Sequence, residues 1–289
     1  MRYKQGMNER KLSSAAPVSE ALRSWAIEQR SRHVSREAMH TELLAAGWQA
    51  EQAKEALEAV LDTPPSEPGT LSQIPGPDLS MALPALAAGE RQVRVVVAMA
   101  QPPLVVFSQL LSADECTALI EAARPRLARS LTVETQTGGE EVNADRTSEG
   151  MFFTRGEIEV VRQLEARIAA LLHWPVDHGE GLQVLRYGPG AEYKPHYDYF
   201  DPSETGTPTM LRRGGQRVAT LVMYLNTPEA GGATVFPDLG LQVAPQQGYA
   251  VFFGYDRPHP DTHTLHGGAP VVAGEKWIAT KWLREQKFE

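Results

Sequence analysis

The sequence predicts a mainly β domain with flanking helices, of the α+β class, preceded by a small helical module. Apolar residues recur at helical spacing within residues 1–62, prolines crowd residues 63–90, and short β-type runs separated by Gly and Pro turns fill residues 91–289. After residue 182 the chain offers about seven further candidate strands, a pattern typical of a sandwich or jelly roll. The predicted organisation is therefore a helical module, an extended linker and one large β-rich domain.

Three short helices are predicted in the module. The first covers 18–25, where apolar side chains recur at spacings of three and four residues. The second begins after Ser35, a favourable N-cap, and ends near Gly47, while the third carries the apolar stripe of 53–61. Such a bundle either buries its own apolar residues, Trp25 among them, or docks a protein partner, and the sequence leaves both interpretations open.

Two helices interrupt the strands of the large domain. Ser112 and Glu115 have the spacing of a capping box that opens the first helix, and the second runs over roughly 157–172 with its apolar residues on one face. Cys116 falls within the first helix and is expected to pack inertly. Because it is the only cysteine, an internal disulfide and a cysteine-rich zinc cluster are excluded, which favours the reducing cytoplasm.

Charge and hydropathy argue against two classes of partner. The formal net charge of −8 at pH 7 removes the broad basic field that nonspecific nucleic-acid binding needs. No run approaches the roughly 18 consecutive apolar residues of a membrane span, and the polar start of the chain does not have the pattern of a signal peptide. We therefore expect a cytoplasmic protein that binds neither nucleic acid nor membrane.

The segment Y-G-P-G-A-E-Y-K-P-H-Y-D, residues 187–198, carries the first chemical signal. If His196 and Asp198 lie on one strand, alternation places their imidazole and carboxylate on the same face. Completed by a second histidine, this pair gives the facial triad of non-haem Fe(II) sites, which leaves open positions for cosubstrate and O2. A surface ion pair is the alternative, because an H-x-D tripeptide alone is weakly specific.

A second signal lies near the C-terminus. His266 follows Asp198 by 68 residues, and Lys276 follows ten residues later, a hairpin spacing that lets His266 and Lys276 face one cavity from adjacent strands. His263 competes as the third ligand, but its odd separation from His266 places the two on opposite strand faces, which favours His266. A buried Lys276 requires a counter-charge that a dicarboxylate would supply, whereas on the outer face it is a solvated strand lysine.

These residues lie within motifs that resemble the prolyl 4-hydroxylase group of 2-oxoglutarate and Fe(II)-dependent dioxygenases. The resemblance covers 103–282 and leaves the first 90 residues outside. Its motifs are, in chain order, L-S-A-D-E-C near 111, R-T-S at 146–148, L-Q-V-L-R-Y at 182–187, the H-x-D, R-V-A-T-L-V-M-Y-L-N at 217–226, G-G-A-T-V-F-P at 231–237, and H-G-G followed by G-E-K-W. Ala269 departs from the family pattern, in which cysteine is frequent at this position, without touching the chemistry.

The resemblance implies a double-stranded β-helix, or jelly roll, in which His196, Asp198 and His266 form the catalytic Fe(II) site. It also implies that Lys276 pairs with the distal carboxylate of 2-oxoglutarate and that Tyr187 lines the cosubstrate pocket. O2 is the second cosubstrate, and ascorbate is a candidate auxiliary cofactor. Where family members contact the peptide substrate, this chain carries Arg146, Tyr193 and Trp282.

The activity implied is 2-oxoglutarate-dependent hydroxylation of prolyl residues in a peptide or protein, with release of succinate and CO2. Two alternatives stay open: hydroxylation of a free amino acid or small molecule, which an enclosed pocket would favour, and a non-catalytic metal-binding β-barrel used for interaction. Tyr187 and Trp282 are also large enough to be core residues, and Arg146 could merely cap a loop. The bend at 179–181 is interpreted as a strand turn.

Overall fold

A computed structural model describes residue 29 and residues 34–61, 74–129, 132–133, 140–141 and 146–289. The chain divides into two compact units, residues 1–68 and residues 69–289. The predicted helix over 18–25, with Trp25, lies outside the described residues. Among the helices that are described, none is long and apolar enough to cross a membrane.

The smaller unit contains helices α1 (Arg36–Ala45) and α2 (Ala50–Leu61), which are the second and third helices predicted. The side chain of Ser35 accepts a hydrogen bond from the backbone N–H of Ala38 at 3.2 Å, as an N-cap residue does. Gly47 follows α1 with a φ of +92°, a conformation that residues with a Cβ rarely adopt. The buried apolar side chains of the two helices are Met39, Leu43, Ala53 and Leu57.

The larger unit begins earlier than the predicted boundary at residue 91. Strand β1 (Ala85–Ala88) pairs with β2 (Arg91–Met99), and the backbone N–H of Gly76 donates to the carbonyl of Leu172 at 2.9 Å. The extended linker predicted over 63–90 is therefore wrong in its second half. β1 is the edge strand of its sheet, and the prolines of this stretch lie before it, where a missing N–H disrupts no ladder.

The described part of the larger unit has further strands that are mostly short. From residue 182 to residue 284 there are ten, more than the number predicted, because several span only two or three residues and leave too little alternation to detect. They are, with the strands before them, β3 (Leu104–Ser108), β4 (Ala128–Arg129), β5 (Thr132–Val133), β6 (Glu140–Glu141), β7 (Glu149–Phe153), β8 (Leu182–Tyr187), β9 (Tyr193–His196), β10 (Arg217–Tyr224), β11 (Ala230–Gly231), β12 (Thr234–Phe236), β13 (Leu241–Val243), β14 (Ala250–Gly254), β15 (His266–Gly268), β16 (Val271–Ala273) and β17 (Lys276–Arg284).

Two antiparallel sheets form the framework of this unit. The larger has nine strands in the order β1-β2-β3-β14-β10-β17-β8-β7-β4, and the smaller has four in the order β13-β12-β15-β9. The predicted α+β class with a jelly-roll domain is confirmed. From β3 to β8 in this order, neighbouring strands are far apart in the chain, so this part of the core is assembled from residues of high sequence separation.

Helices α3 (Ala113–Ala123) and α4 (Glu159–Leu172) cover one face of the larger sheet, and one hydrophobic cluster joins their apolar sides to it. The predicted capping box is confirmed, since Ser112 and Glu115 each bind the other's backbone N–H. Cys116 is buried in this cluster, and burial raises the pKa of its thiol to about 11, so it is an inert packing residue.

The opposite face of the larger sheet looks toward the smaller sheet. A second hydrophobic cluster lies there and contains Val222 of β10 and Phe236 of β12. Residues that are Cα partners in adjacent strands share a face, and two such pairs on this side are Thr220 with Trp282 and Tyr187 with Lys276. Polar side chains are thus placed inside the jelly roll, between its two sheets.

Candidate metal centre and its surroundings

Two histidines face each other across the smaller sheet. His196 ends β9, His266 begins β15, and the two are Cα partners in the antiparallel ladder, with their ring centroids 4.4 Å apart. Asp198 lies two residues beyond the end of β9, so the predicted strand alternation is not what brings it to His196. Instead the Thr220 hydroxyl donates to Asp198 Oδ2 at 2.7 Å, which draws the carboxylate inward.

The ligand atoms of these three residues converge on one point. His196 Nε2 is 3.6 Å from Asp198 Oδ1, His266 Nε2 is 3.4 Å from Asp198 Oδ2, and all three ligand atoms lie within 4.8 Å of one another. The Nδ1 atoms donate to the carbonyls of Lys194 and Thr264 at 2.8 and 2.9 Å, which leaves each Nε2 with its lone pair for a metal.

The charge of the cluster suits a divalent cation. Burial raises the pKa of Asp198, but His266, His196 and Arg217 lower it more, and the result is well below the ordinary value. Burial lowers the pKa of His266 to about 4, so its imidazole is neutral at physiological pH. Two neutral imidazoles and one carboxylate are the donor set of the non-haem Fe(II) facial triad, so the residues present fit this metal.

His263 is not part of this cluster. It follows a 3₁₀ turn (Pro260–Thr262), has a φ of +51° and is exposed, whereas His266 is buried. The exposure of His263 and the burial of His266 support the predicted preference for His266 as the third metal ligand. The predicted reason, opposite faces of one strand, is wrong, because His263 precedes β15 and lies in no strand.

Lys276 lies in the larger sheet, at the first residue of β17, and not on a hairpin with His266 as predicted. The intervening β16 pairs with β11, so the two residues approach the interior from different sheets. The Lys276 side chain passes close to the backbone of two glycines: a Cβ on Gly232 would lie 3.0 Å from its Cδ, and a Cβ on Gly268 would lie 3.8 Å from its Nζ. A side chain at Gly232 would crowd the lysine, whereas a Cβ at Gly268 would make an ordinary van der Waals contact.

The ammonium group of Lys276 is buried among aromatic rings. Only 2% of the residue is exposed, and Nζ lies 5.5 Å from the ring centroid of Tyr187 and 5.9 Å from that of Tyr224. Within the described residues no carboxylate forms an ion pair with it. Burial therefore lowers the pKa of Lys276 to about 8. A buried cation without an internal counter-charge fits the carboxylate of a ligand.

The aromatic surroundings of Lys276 include a residue that the sequence analysis missed. Tyr187 is 4% exposed and is the Cα partner of Lys276. Tyr224, at the end of β10, is fully buried and donates its hydroxyl proton to Thr234 Oγ1 at 2.7 Å. The only signal for Tyr224 was its place in an apolar strand, which is equally typical of a core residue.

Arg146 and Tyr193 extend from the metal centre toward β8. The Tyr193 ring stacks on the His196 ring with centroids 3.7 Å apart, and the Arg146 guanidinium lies 4.8 Å from the Tyr193 ring centroid. Arg146 is buried and its Nη2 donates to Gln183 Oε1 at 2.8 Å. These two predicted substrate contacts are therefore connected to a metal ligand, and Arg146 is more than a loop cap.

Trp282 lies beside a buried ion network that the sequence analysis missed. The guanidinium of Arg217 is 4.1 Å from the Trp282 ring centroid, its Nε donates to Glu180 Oε1 at 2.7 Å, and its Nη1 reaches the carbonyl of Asp198 at 3.3 Å. Arg284 also donates to Glu180 Oε1, at 2.9 Å. The interpretation of 179–181 as a simple turn is wrong for Glu180, because its carboxylate is buried. The glycines on either side of it had indicated only a bend.

Comparisons with known proteins agree with this geometry. The profile of the 2OG-Fe(II) oxygenase superfamily matches residues 182–284. Prolyl 4-hydroxylase 5 of Arabidopsis thaliana is 41% identical over 223 residues, which is 70% of this chain and 74% of that protein. Prolyl 4-hydroxylase 1 of the same plant is 41% identical over 203 residues, 64% of this chain and 70% of that protein.

A solved structure is also similar to this chain. It is the viral collagen prolyl hydroxylase of Paramecium Bursaria Chlorella virus-1 in its 2OG complex, which is 33% identical. The match covers 63% of this chain and 95% of the viral chain, with a TM-score of 0.48.

Proposed function

The chain belongs to the prolyl 4-hydroxylase family of 2-oxoglutarate and Fe(II)-dependent oxygenases, and on that premise we propose how its residues bind cosubstrate and peptide. The enzyme hydroxylates prolyl residues in a peptide, with Fe(II) as its metal, and converts 2-oxoglutarate and O2 to succinate and CO2. The observation that carries this conclusion is the His-Asp-His cluster, in the same interior as a buried lysine that has no acidic partner among the described residues.

His196, Asp198 and His266 hold the iron. Their own contribution is to present two imidazoles and one carboxylate, with the Nδ1 hydrogen bonds to backbone carbonyls keeping the rings oriented. When bound, Fe(II) supplies the site at which 2-oxoglutarate and O2 meet and the oxidising power for attack on an unactivated C–H bond. Asp198 and His266 are buried between the two sheets, and His196 is the partly exposed member of the cluster.

Lys276 binds the distal carboxylate of 2-oxoglutarate, and Tyr187 lines the same pocket. The lack of an acidic partner in the described structure supports this role, since a charge so deeply buried is stabilised only by an opposite charge. Tyr187 and Tyr224 flank the ammonium group and shape the space around it. Ascorbate is a candidate reductant for which the described residues offer no separate argument.

Arg146, Tyr193 and Trp282 contact the peptide. Their placement supports a substrate larger than a free amino acid, because Trp282 borders an exposed aromatic residue, Phe152, with ring centroids 6.4 Å apart. Phe152 is 46% exposed, so this edge of the site is open to solvent. Aromatic faces at an open edge suit the ring of a prolyl residue in an extended chain.

The test is mass spectrometry of proline-containing peptides incubated with the enzyme, Fe(II) and 2-oxoglutarate, with succinate measured in parallel. We expect a gain of one oxygen on proline that His196→Ala and His266→Ala abolish together with iron binding, since losing one of three ligands undoes the site. His263→Ala is the matched control and retains most of the activity. Hydroxylation of free proline but of no peptide would overturn the substrate class.

Residues 1–62 serve, in this proposal, as a docking module for a protein partner, and the enzyme works in the reducing cytoplasm, apart from nucleic acid and membrane. The lone buried Cys116 supports that compartment, because no disulfide framework is possible. Fusing the whole chain to a fluorescent protein locates it. A secreted pool would contradict the assignment.

A further inference from the structure

A threonine hydroxyl connects the metal-binding carboxylate to a buried tyrosine. Thr220 lies in the middle of β10, is completely buried and has Phe253 and Trp282 as its Cα partners. Its Oγ1 is 2.7 Å from Asp198 Oδ2 and 3.0 Å from the hydroxyl oxygen of Tyr255. Within the described structure this hydroxyl is the neutral donor closest to the carboxylate.

The direction of both hydrogen bonds follows from the inventory of protons. Thr220 has a single hydroxyl proton, and its Oγ1 donates that proton to Asp198 Oδ2. Thr220 then has no proton left for Tyr255, and the Tyr255 hydroxyl must donate to Thr220 Oγ1. The chain of donors runs in one direction, from Tyr255 through Thr220 to Asp198, and each bond polarises the next.

Backbone and ring contacts fix the position of Tyr255 and so the direction in which its hydroxyl group donates. It lies one residue beyond β14, its backbone N–H donates to the carbonyl of Val218 at 2.9 Å, and it is 2% exposed. Its ring packs against those of Phe253 and Tyr199, with centroids 6.3 and 6.2 Å away. Burial raises the pKa of Tyr255 well above its ordinary value, so its hydroxyl remains a donor throughout the physiological range.

We propose that Tyr255 and Thr220 are positioning residues that keep one oxygen of Asp198 engaged, so that the carboxylate binds iron through the other oxygen alone. The hydrogen bond withdraws electron density from Oδ2 and fixes the plane of the carboxylate. A carboxylate that used both oxygens would take four of six metal positions together with the two histidines. One-oxygen binding leaves three open positions, two for 2-oxoglutarate and one for O2. This inference rests on the iron-dependent activity proposed above.

The experiment counts the water molecules bound to Mn(II), substituted for Fe(II) in the full chain, by electron spin-echo spectroscopy in D2O without 2-oxoglutarate. We expect three waters in the wild type and in Thr220→Ser, which retains the donor, and two in Thr220→Val. Thr220→Val leaves the Tyr255 hydroxyl without its hydrogen-bond acceptor. The double variant Thr220→Val/Tyr255→Phe removes both polar groups and should also give two water molecules.

Steady-state kinetics on a proline-containing peptide provide the second measurement. Thr220→Val and the double variant should lose about tenfold or more in kcat with KM for the peptide changed less than about twofold, and Thr220→Ser should restore most of the loss. Three waters in both Val-containing variants, or an unchanged kcat, would overturn the proposal. If wild-type protein bound Mn(II) with three waters yet hydroxylated no peptide, the proposed function would fail while the positioning role remained.

Discussion

Two lysines on β17 have the same burial and opposite surroundings. Lys276 and Lys281 are each 2% exposed and lie five residues apart, so strand alternation sends them to opposite faces of the larger sheet. On the helix-covered face, Lys281 Nζ is 2.5 Å from Glu165 Oε1 and also contacts the carbonyl of Glu180. On the inner face Lys276 has aromatic rings and, within the described residues, no carboxylate.

The two lysines differ in whether the protein itself supplies a counter-charge. Burial lowers the pKa of both lysines, but Glu165 partly offsets this effect for Lys281, whereas burial is the sole cause for Lys276. Lys281 therefore has an internal counter-charge, whereas Lys276 has none among the residues that the structure describes. Residue type, strand and burial do not distinguish the two; the counter-charge does.

The largest effect on stability is expected from Lys281→Met. The substitution leaves the Glu165 carboxylate buried without a charged partner, which typically costs about 3–5 kcal/mol in the free energy of unfolding. Urea unfolding measures it. The matched control is the double variant Glu165→Gln/Lys281→Met, which removes both charges and should recover most of the loss; no recovery would show that packing, not charge, governs this face.

The same substitution on the inner face should act on binding instead. Lys276→Met removes an uncompensated cation, so the free energy of unfolding should stay the same or rise. The affinity for 2-oxoglutarate should fall by about 2–5 kcal/mol, because the cosubstrate carboxylate loses its partner. Titrating succinate formation against 2-oxoglutarate, with iron affinity as the control, measures this. An unchanged 2-oxoglutarate requirement would contradict the assignment of Lys276.

The pH dependence of cosubstrate binding sharpens the contrast. Because the pKa of Lys276 is lowered to about 8, free enzyme above that pH carries a neutral amine. Binding the dianion then requires uptake of a proton, so the affinity for 2-oxoglutarate should be constant below about pH 8 and fall by roughly tenfold per unit above it. Lys276→Met should lack this slope. Calorimetric titrations with 2-oxoglutarate from about pH 6.5 to 9.5, at spacings of about half a pH unit, measure this slope in the wild type and in Lys276→Met.

The same pKa fixes how Lys276 affects stability. Between about pH 8 and the ordinary lysine pKa of 10.5, the unfolded chain binds more protons at this residue than the folded chain does. Stability of the ligand-free protein should therefore rise with pH over this window, relative to Lys276→Met. A wild-type stability that does not rise over this window relative to that variant would contradict the lowered pKa of Lys276.

The smallest effect is expected from removing the N-terminal unit, which lies far in sequence from both lysines. A chain beginning at Gly69 should hydroxylate a short peptide with kcat and KM within about twofold of the full chain. A chain beginning at Ala88 is the informative control. It lacks β1 and the hydrogen bond from Gly76 to Leu172, so its thermal midpoint should fall by several degrees, on the order of 5 °C.

The sequence predicted the larger features of the fold because they have long periodic patterns. Two of the three α-helices described in the large unit and two of the three predicted module helices were within reach of capping and stripe arguments, as Ser112 and Ser35 illustrate. The third helix of the large unit, Thr207–Leu211, has only five residues and was missed. The strand Ala85–Ala88 was missed, because four apolar residues after a run of prolines have no polar–apolar alternation to detect. Its pairing with β2 depends on tertiary structure, which local residue propensities do not encode.

The site was predictable in its residue types and less so in its geometry. Alternation suggested that His196 and Asp198 converge, yet Asp198 reaches the cluster from beyond the strand, held by Thr220 on a different sheet. Alternation also left open which face Lys276 occupies, since a lysine within an apolar strand looks the same on either side. Tyr255 and Glu180 could not be found at all, because their roles depend on partners distant in sequence.

The position of the two metal-binding histidines in the smaller sheet gives the ion a mechanical role. β9 is the outermost strand of that sheet, and His196 and His266 occupy matching rungs of the ladder that holds it. An ion bound by both imidazoles would therefore cross-link the edge strand β9 to its neighbour β15. The link would lie at His196, the last residue of β9. Because a ligand that binds only the folded state stabilises it, we expect the stability of the pairing between β9 and β15 to depend on the iron concentration.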